Sequence, residues 1–177
     1  AKNANLQRYA EAFSFLQSKN LYTVDDLENT LHAMQNKIDS LKKSASTKRA
    51  RIKEVDELLR MVDYYKSGKP AADKLKSIRF EKSRQKYKAE HDNELRTFYM
   101  AERKLKPYFK DGKLPITAWR KEREQLEQGY KDTQTELSPL HADAKKLWAI
   151  HYNIYEVQHE QERQNTELRQ KRQEIEH

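Results

Sequence analysis

From Val24 to Val62 one stripe of the chain steps alternately by three and four residues without a break: Val24, Leu27, Leu31, Met34, Ile38, Leu41, Ala45, Lys48, Ile52, Val55, Leu59, Val62. Only Lys48 is not apolar. A 3.5-residue repeat held this long demands a long helix whose a/d seam is covered by another helix. The chain is therefore built around helix pairing and not around a pocket.

The remaining composition agrees. Hydrophobic and charged residues each make up 36% of the 177 residues, too few apolar side chains for a thick globular core but a suitable mix for paired helices. Three glycines and four prolines are fewer than strands and tight turns would use. The length fits one domain, 1–177, with no linker at which to divide it. Absence of cysteine excludes disulfides, thiolate metal sites and a cysteine nucleophile, and is compatible with a cytoplasmic setting. No stretch approaches the roughly 20 apolar residues of a membrane span, and the amino end has no apolar signal core. The chain opens on alanine with helical pattern almost at once, as expected of a piece of a longer protein.

Read along its length, the sequence predicts an all-α fold, an elongated antiparallel bundle or coiled coil of about four helices. A short amphipathic helix covers 5–18, with Leu6, Tyr9, Ala10, Phe13 and Leu16 on one face. Thr23 reads as an N-cap, with Asp25 and Asp26 in the first turn of a long helix over 24–66. Ser67-Gly68-Lys69-Pro70 stops that helix, and 71–83 forms a basic elbow with weak periodicity. A helix over 84–110 follows, with Tyr87, His91, Leu95, Phe98, Ala101, Leu105 and Tyr108 on its seam, ending near Lys110-Asp111-Gly112. Leu114-Pro115 opens a last helix over 115–177, kinked or broken near Pro139, because a proline inside a helix removes a backbone hydrogen bond. Its apolar residues thin after Val157 to Leu168 and Ile175. Whether the helices pair within one chain or as a dimer is left open by the pattern.

No motif carries enzyme chemistry: there is no glycine-rich phosphate loop, no His-Glu-x-x-His and no histidine pair at ligand spacing. No catalytic residue, metal or cofactor is assigned. His151 with Trp148 and Tyr155, and the tyrosines at Tyr64-Tyr65, Tyr99, Tyr152 and Tyr155, read better as helix packing than as a site.

Charge is the functional signal. The chain carries +8, and from Tyr64 to Lys88 nine basic residues stand against Asp73 and Glu81, a local balance of +7. These are Lys66, Lys69, Lys74, Lys76, Arg79, Lys82, Arg84, Lys86 and Lys88, interleaved with Tyr64, Tyr65, Phe80 and Tyr87. Cations displace counterions from phosphates and exposed aromatics stack unpaired bases, so the expected partner is DNA, single-stranded or bound without regard to sequence. Lys48, Arg49, Arg51 and Lys53 form a secondary basic patch, although Lys48, on the seam, reads better as a residue that sets helix register. The competing reading is a solvated face on a protein-interaction or oligomerisation rod.

The order of the long heptad helix, Asp63-Tyr64-Tyr65-Lys66, Lys86 to His91 with Glu94-Leu95, Ala101 to Lys106, and Gly112 to Ile116 with Glu122, Leu126 and Tyr130 resembles one known region. It is similar to the segment that follows the nuclease domain in MobA/VirD2-type relaxases of mobile elements in Gram-positive bacteria, over about residues 6–140. Such relaxases nick one DNA strand with a tyrosine assisted by a histidine-bound metal. None of those residues has a match here. The resemblance therefore implies a non-catalytic accessory part that grips DNA beside the nick or docks relaxosome or coupling proteins.

Overall fold

In the computed structural model, residues 2–175 are described, with side chains for 7–172. The expected contributions of Leu6, Ile175 and His177 lie outside the described side chains. The fold is all-α. Among the described residues five helices run in the order α1 (Lys2–Ser18), α2 (Val24–Ser77), α3 (Glu81–Glu90), α4 (Asp92–Leu105) and α5 (Ile116–Ile175), with a 3-10 turn at Lys106–Tyr108. Among the described residues there is no strand beyond a single bridge between Lys110 and Lys113. Contacts gather into two compact units, one of Ala1–Lys43 with Gln134–His177 and one of Ser44–Thr133, where the sequence predicts a single one.

In the first unit, α1 ends as the sequence asks. Asn20 takes φ 56°, and the amides of Asn20 and Leu21 bond back to the carbonyls of Gln17 and Leu16 at 3.0 Å each. This is a Schellman stop, with Leu21 folding back among Leu27, Leu31 and Leu147. Thr23 and Asp26 then form a reciprocal capping box, each side chain accepting the other's backbone amide, at 3.1 and 3.2 Å. The first part of α2 runs antiparallel to α5, as pairs Glu28 with His151 and Lys37 with Glu136 require. The inner face of α1 differs from the predicted one: Phe15 and Leu16 pack on the core, whereas Tyr9 and Phe13 are exposed.

In the second unit, Val55, Met61 and Val62 of α2 enclose Ala101 and Leu105 of α4 and Trp119 of α5. The predicted seam of α2 is buried or half-buried at every position from Val24 to Val62. The predicted stop at Lys66 is overturned, because α2 passes through Gly68 and Pro70 to Ser77. Ala71, Ala72 and Leu75 prolong the seam there, packed with Leu95 and Phe98 of α4. That burial holds the helix across the one hydrogen bond Pro70 cannot make. Gly68 permits the contact: a Cβ on it would lie 2.6 Å from the Phe98 Cβ and 3.0 Å from the Glu94 carbonyl oxygen.

The helix predicted over 84–110 is two helices, parted at His91, whose φ of −114° and ψ of 23° lie outside helical values. Asp111 and Gly112, both at positive φ, make a tight turn before α5. Nor does Pro139 divide α5, which runs unbroken from Ile116 to Ile175.

Candidate nucleic-acid interface

The basic segment is not one elbow. Its first part is the end of α2, residues 78–80 form a short link, and its last part is α3. None of the α3 residues is buried. Two contacts hold the helix, one to the link and one to α2: Arg84 donates to the Ile78 carbonyl at 2.9 Å, and the Lys74 ammonium lies 5.2 Å from the centre of the Tyr87 ring. Tyr87 in turn packs on His91, with ring centres 4.2 Å apart.

These contacts sort the predicted residues into two groups. Lys69 pairs with Asp73 at 3.1 Å, and that hydrogen bond raises the lysine pKa. Lys74 is engaged with Tyr87, Arg84 with Ile78 and Glu81, and Lys86 with Glu90. By contrast Lys66, Lys76, Arg79, Lys82 and Lys88 are exposed and make no ion pair or hydrogen bond among the described residues. The aromatics divide in the same way. Tyr65 stacks on Phe98 at 5.1 Å inside the unit and Tyr87 is half-buried, while Phe80, between Arg79 and Glu81 on the link, is 78% exposed.

The secondary patch comes apart. Lys48 turns inward and donates to Ser44 and Thr133 at 2.8 and 2.9 Å, and the Thr133 hydroxyl in turn donates a hydrogen bond to the Gly129 carbonyl at 2.7 Å. Arg51 grips Glu122 with two hydrogen bonds at 2.7 and 3.2 Å and also reaches Glu54, which together raise its pKa. Only Arg49 and Lys53 stay exposed and unpartnered. Nothing in the residue types marks this difference, because it depends on Glu122 and Thr133, some 70 to 85 positions away.

On the other unit, His151 accepts or donates a hydrogen bond with Glu28 at 2.9 Å and meets Trp148 edge to face at 5.7 Å, which is the packing role expected of it. Tyr152 and Tyr155, expected on a seam, are instead 62% and 51% exposed. Among the described residues no cluster of His, Asp and Glu side chains could hold a metal ion, and no helix is long and apolar enough to cross a membrane. No protein-family model, curated protein or solved structure matches the chain.

Proposed function

We propose that the chain is a non-catalytic DNA-binding module in which the end of α2, the 78–80 link and α3 grip a single strand. It would serve as an accessory part of a relaxase, as its sequence resemblance implies. The carrying observation is the position of Phe80, a phenyl ring 78% exposed on a link that holds Arg79 and lies between Lys76 and Lys82, cations that have no internal partner among the described residues. An exposed phenyl is of no use to duplex phosphates, but it offers a face on which an unpaired base stacks, while Lys66, Lys76, Arg79, Lys82 and Lys88 release counterions from the backbone. Lys69, Lys74 and Arg84, being engaged within the protein, hold the surface together.

Fluorescence anisotropy of labelled oligonucleotides across a salt series tests this. Five phosphate contacts correspond to a log–log slope of about −3.5 for a single strand. Reversing Lys76, Arg79, Lys82 and Lys88 to Glu abolishes binding while the helical spectrum survives. Phe80→Ala weakens single strands by about tenfold, the value of one stacked base, and barely changes duplex affinity. Unchanged binding in the charge-reversed variant overturns the proposal and moves the reading to a protein-docking module for relaxosome or coupling proteins, for which the exposed aromatics of α1 and α5 speak.

A further inference from the structure

Within the unit of residues 44–133, a second group of rings and cations lies outside the surface already described. Tyr99, Glu102, Arg103 and Lys106 stand three and four residues apart, so they share one face of α4 and of the 3-10 turn that prolongs it. With Phe109 they line a cavity of about 610 Å³, within the range of about 300–1,000 Å³ usual for small-ligand sites. Both of its rings are fixed from behind. Phe98 meets Tyr99 edge to face at 5.2 Å and stacks on Tyr65, and Tyr65 meets Phe109 edge to face at 5.7 Å. Phe98 is buried, so this row of rings is anchored in the core, while Tyr99 is 36% exposed. The side chains of Glu102, Arg103 and Lys106 make no ion pair or hydrogen bond among the described residues. The cavity adjoins the basic end of α2, since Asp73 first and Glu102 more weakly raise the pKa of Lys69.

We infer that this cavity takes one unpaired guanine of the strand assigned above to the end of α2, an extension that rests on that reading. The Tyr99 ring offers a face on which a base stacks. Arg103 and Lys106 supply positive charge for the phosphates beside that base. A bare phosphate would use neither ring and would be repelled by Glu102. Glu102 also decides which base enters. A carboxylate only accepts hydrogen bonds, and guanine alone sets two donors side by side on its pairing edge, the ring N–H and the amino group. Adenine and cytosine each set an amino donor beside a ring nitrogen that accepts, and thymine sets its N–H between two carbonyls. Guanine therefore satisfies both carboxylate oxygens, whereas every other base turns a lone pair toward one of them.

Fluorescence anisotropy of a labelled oligothymidine whose central base is varied reads this site. The strand with guanine should bind about fivefold or more tighter than those with adenine, cytosine or thymine, the low end for a bidentate base contact. E102Q, at a side chain with no internal partner to lose, should transfer the preference to adenine, whose pairing edge matches the donor and acceptor of an amide. Y99L keeps the bulk against Phe98 but removes the stacking face, and should weaken all four strands alike, by about fivefold or more. Equal affinity for the four strands, a guanine preference that survives E102Q, or full affinity in Y99L overturns the inference. The proposed function still stands in those cases if reversal of the α2 and α3 lysines abolishes binding, whereas failure of every strand to bind overturns both. Displacement of the guanine strand by micromolar guanosine monophosphate would make the free nucleotide the ligand and overturn the strand as its source.

Discussion

Gly68→Ala sets two effects of opposite sign against each other. Alanine is the better helix former by about 0.8–1.0 kcal/mol, so propensity alone predicts stabilisation. Against this, the new methyl would lie 2.6 Å from the Phe98 Cβ and 3.0 Å from the Glu94 carbonyl oxygen. Carbon atoms pack at about 3.5–4.0 Å. Both obstructing atoms are fixed to the backbone of α4, so no rotamer change removes the clash, and α4 must retreat by about 1 Å. Overpacking of this kind costs about 1–3 kcal/mol, and the retreat also loosens Phe98, Leu95 and Ala72, which are all but fully buried. The expected net loss is up to about 2 kcal/mol. Gly129 supplies the control: a Cβ there meets only the Cε of Lys48, the far end of a flexible side chain, at 3.2 Å, so Gly129→Ala should be neutral or stabilising by up to about 1 kcal/mol. Urea titrations followed by circular dichroism measure both. A Gly68→Ala protein with a midpoint equal to or above that of the parent refutes the argument from close approach.

Pro70 is exposed and sits inside α2, so Pro70→Ala restores a helix hydrogen bond and should raise stability by about 1–3 kcal/mol; an unchanged midpoint would show that the carbonyl it frees is already satisfied. Lys48→Leu removes an amine held by Ser44 and Thr133 from a seam position, while Thr133 keeps its bond to Gly129; the melting temperature should rise, and a fall would assign Lys48 a net stabilising role. Glu57 accepts a hydrogen bond from Lys104, which holds its pKa below the usual carboxylate range. Its contribution is therefore present above the unfolded pKa and lost as the pH falls through the folded one. Glu57→Gln should flatten the acid limb of the stability profile slightly, and a steeper limb would contradict the sign. Glu122→Gln, which breaks a partly exposed bidentate pair with Arg51, should cost less than about 1 kcal/mol, an effect that high salt removes.

The seam from Val24 to Val62 was legible because large side chains at a fixed period report burial directly. The end of α2 was not, for the residues that continue it are Gly68, Ala71 and Ala72, whose burial depends on how near α4 comes rather than on their own hydrophobicity. Gly68 and Pro70 then read as punctuation, although tertiary contact outweighed both. The division at His91 gave no local signal either, since α3 and α4 together keep a helical spacing through Tyr87, His91 and Leu95. On α1, Tyr9 and Phe13 share a stripe with Leu16, but Phe15 is the ring that turns to the core and carries Lys19 and Lys146 over its face. Positive charge in the basic segment was plain from composition. Which cations are spent within the protein was not, because a lysine beside Asp73 or above Tyr87 looks in sequence like any other lysine.

A helix with no buried residue rests on its own hydrogen bonds and on a few contacts outside it. The ten residues of α3 are in that position, below the length at which a helix persists alone. Opening of α3 therefore requires no disruption of either hydrophobic core, and its amides should trade hydrogen for deuterium long before those of α2 and α4 that flank it. Two of the five unpartnered cations, Lys82 and Lys88, thus sit on the segment whose order is most easily gained or lost, so anything that settles on it is felt first as a slowing of that exchange.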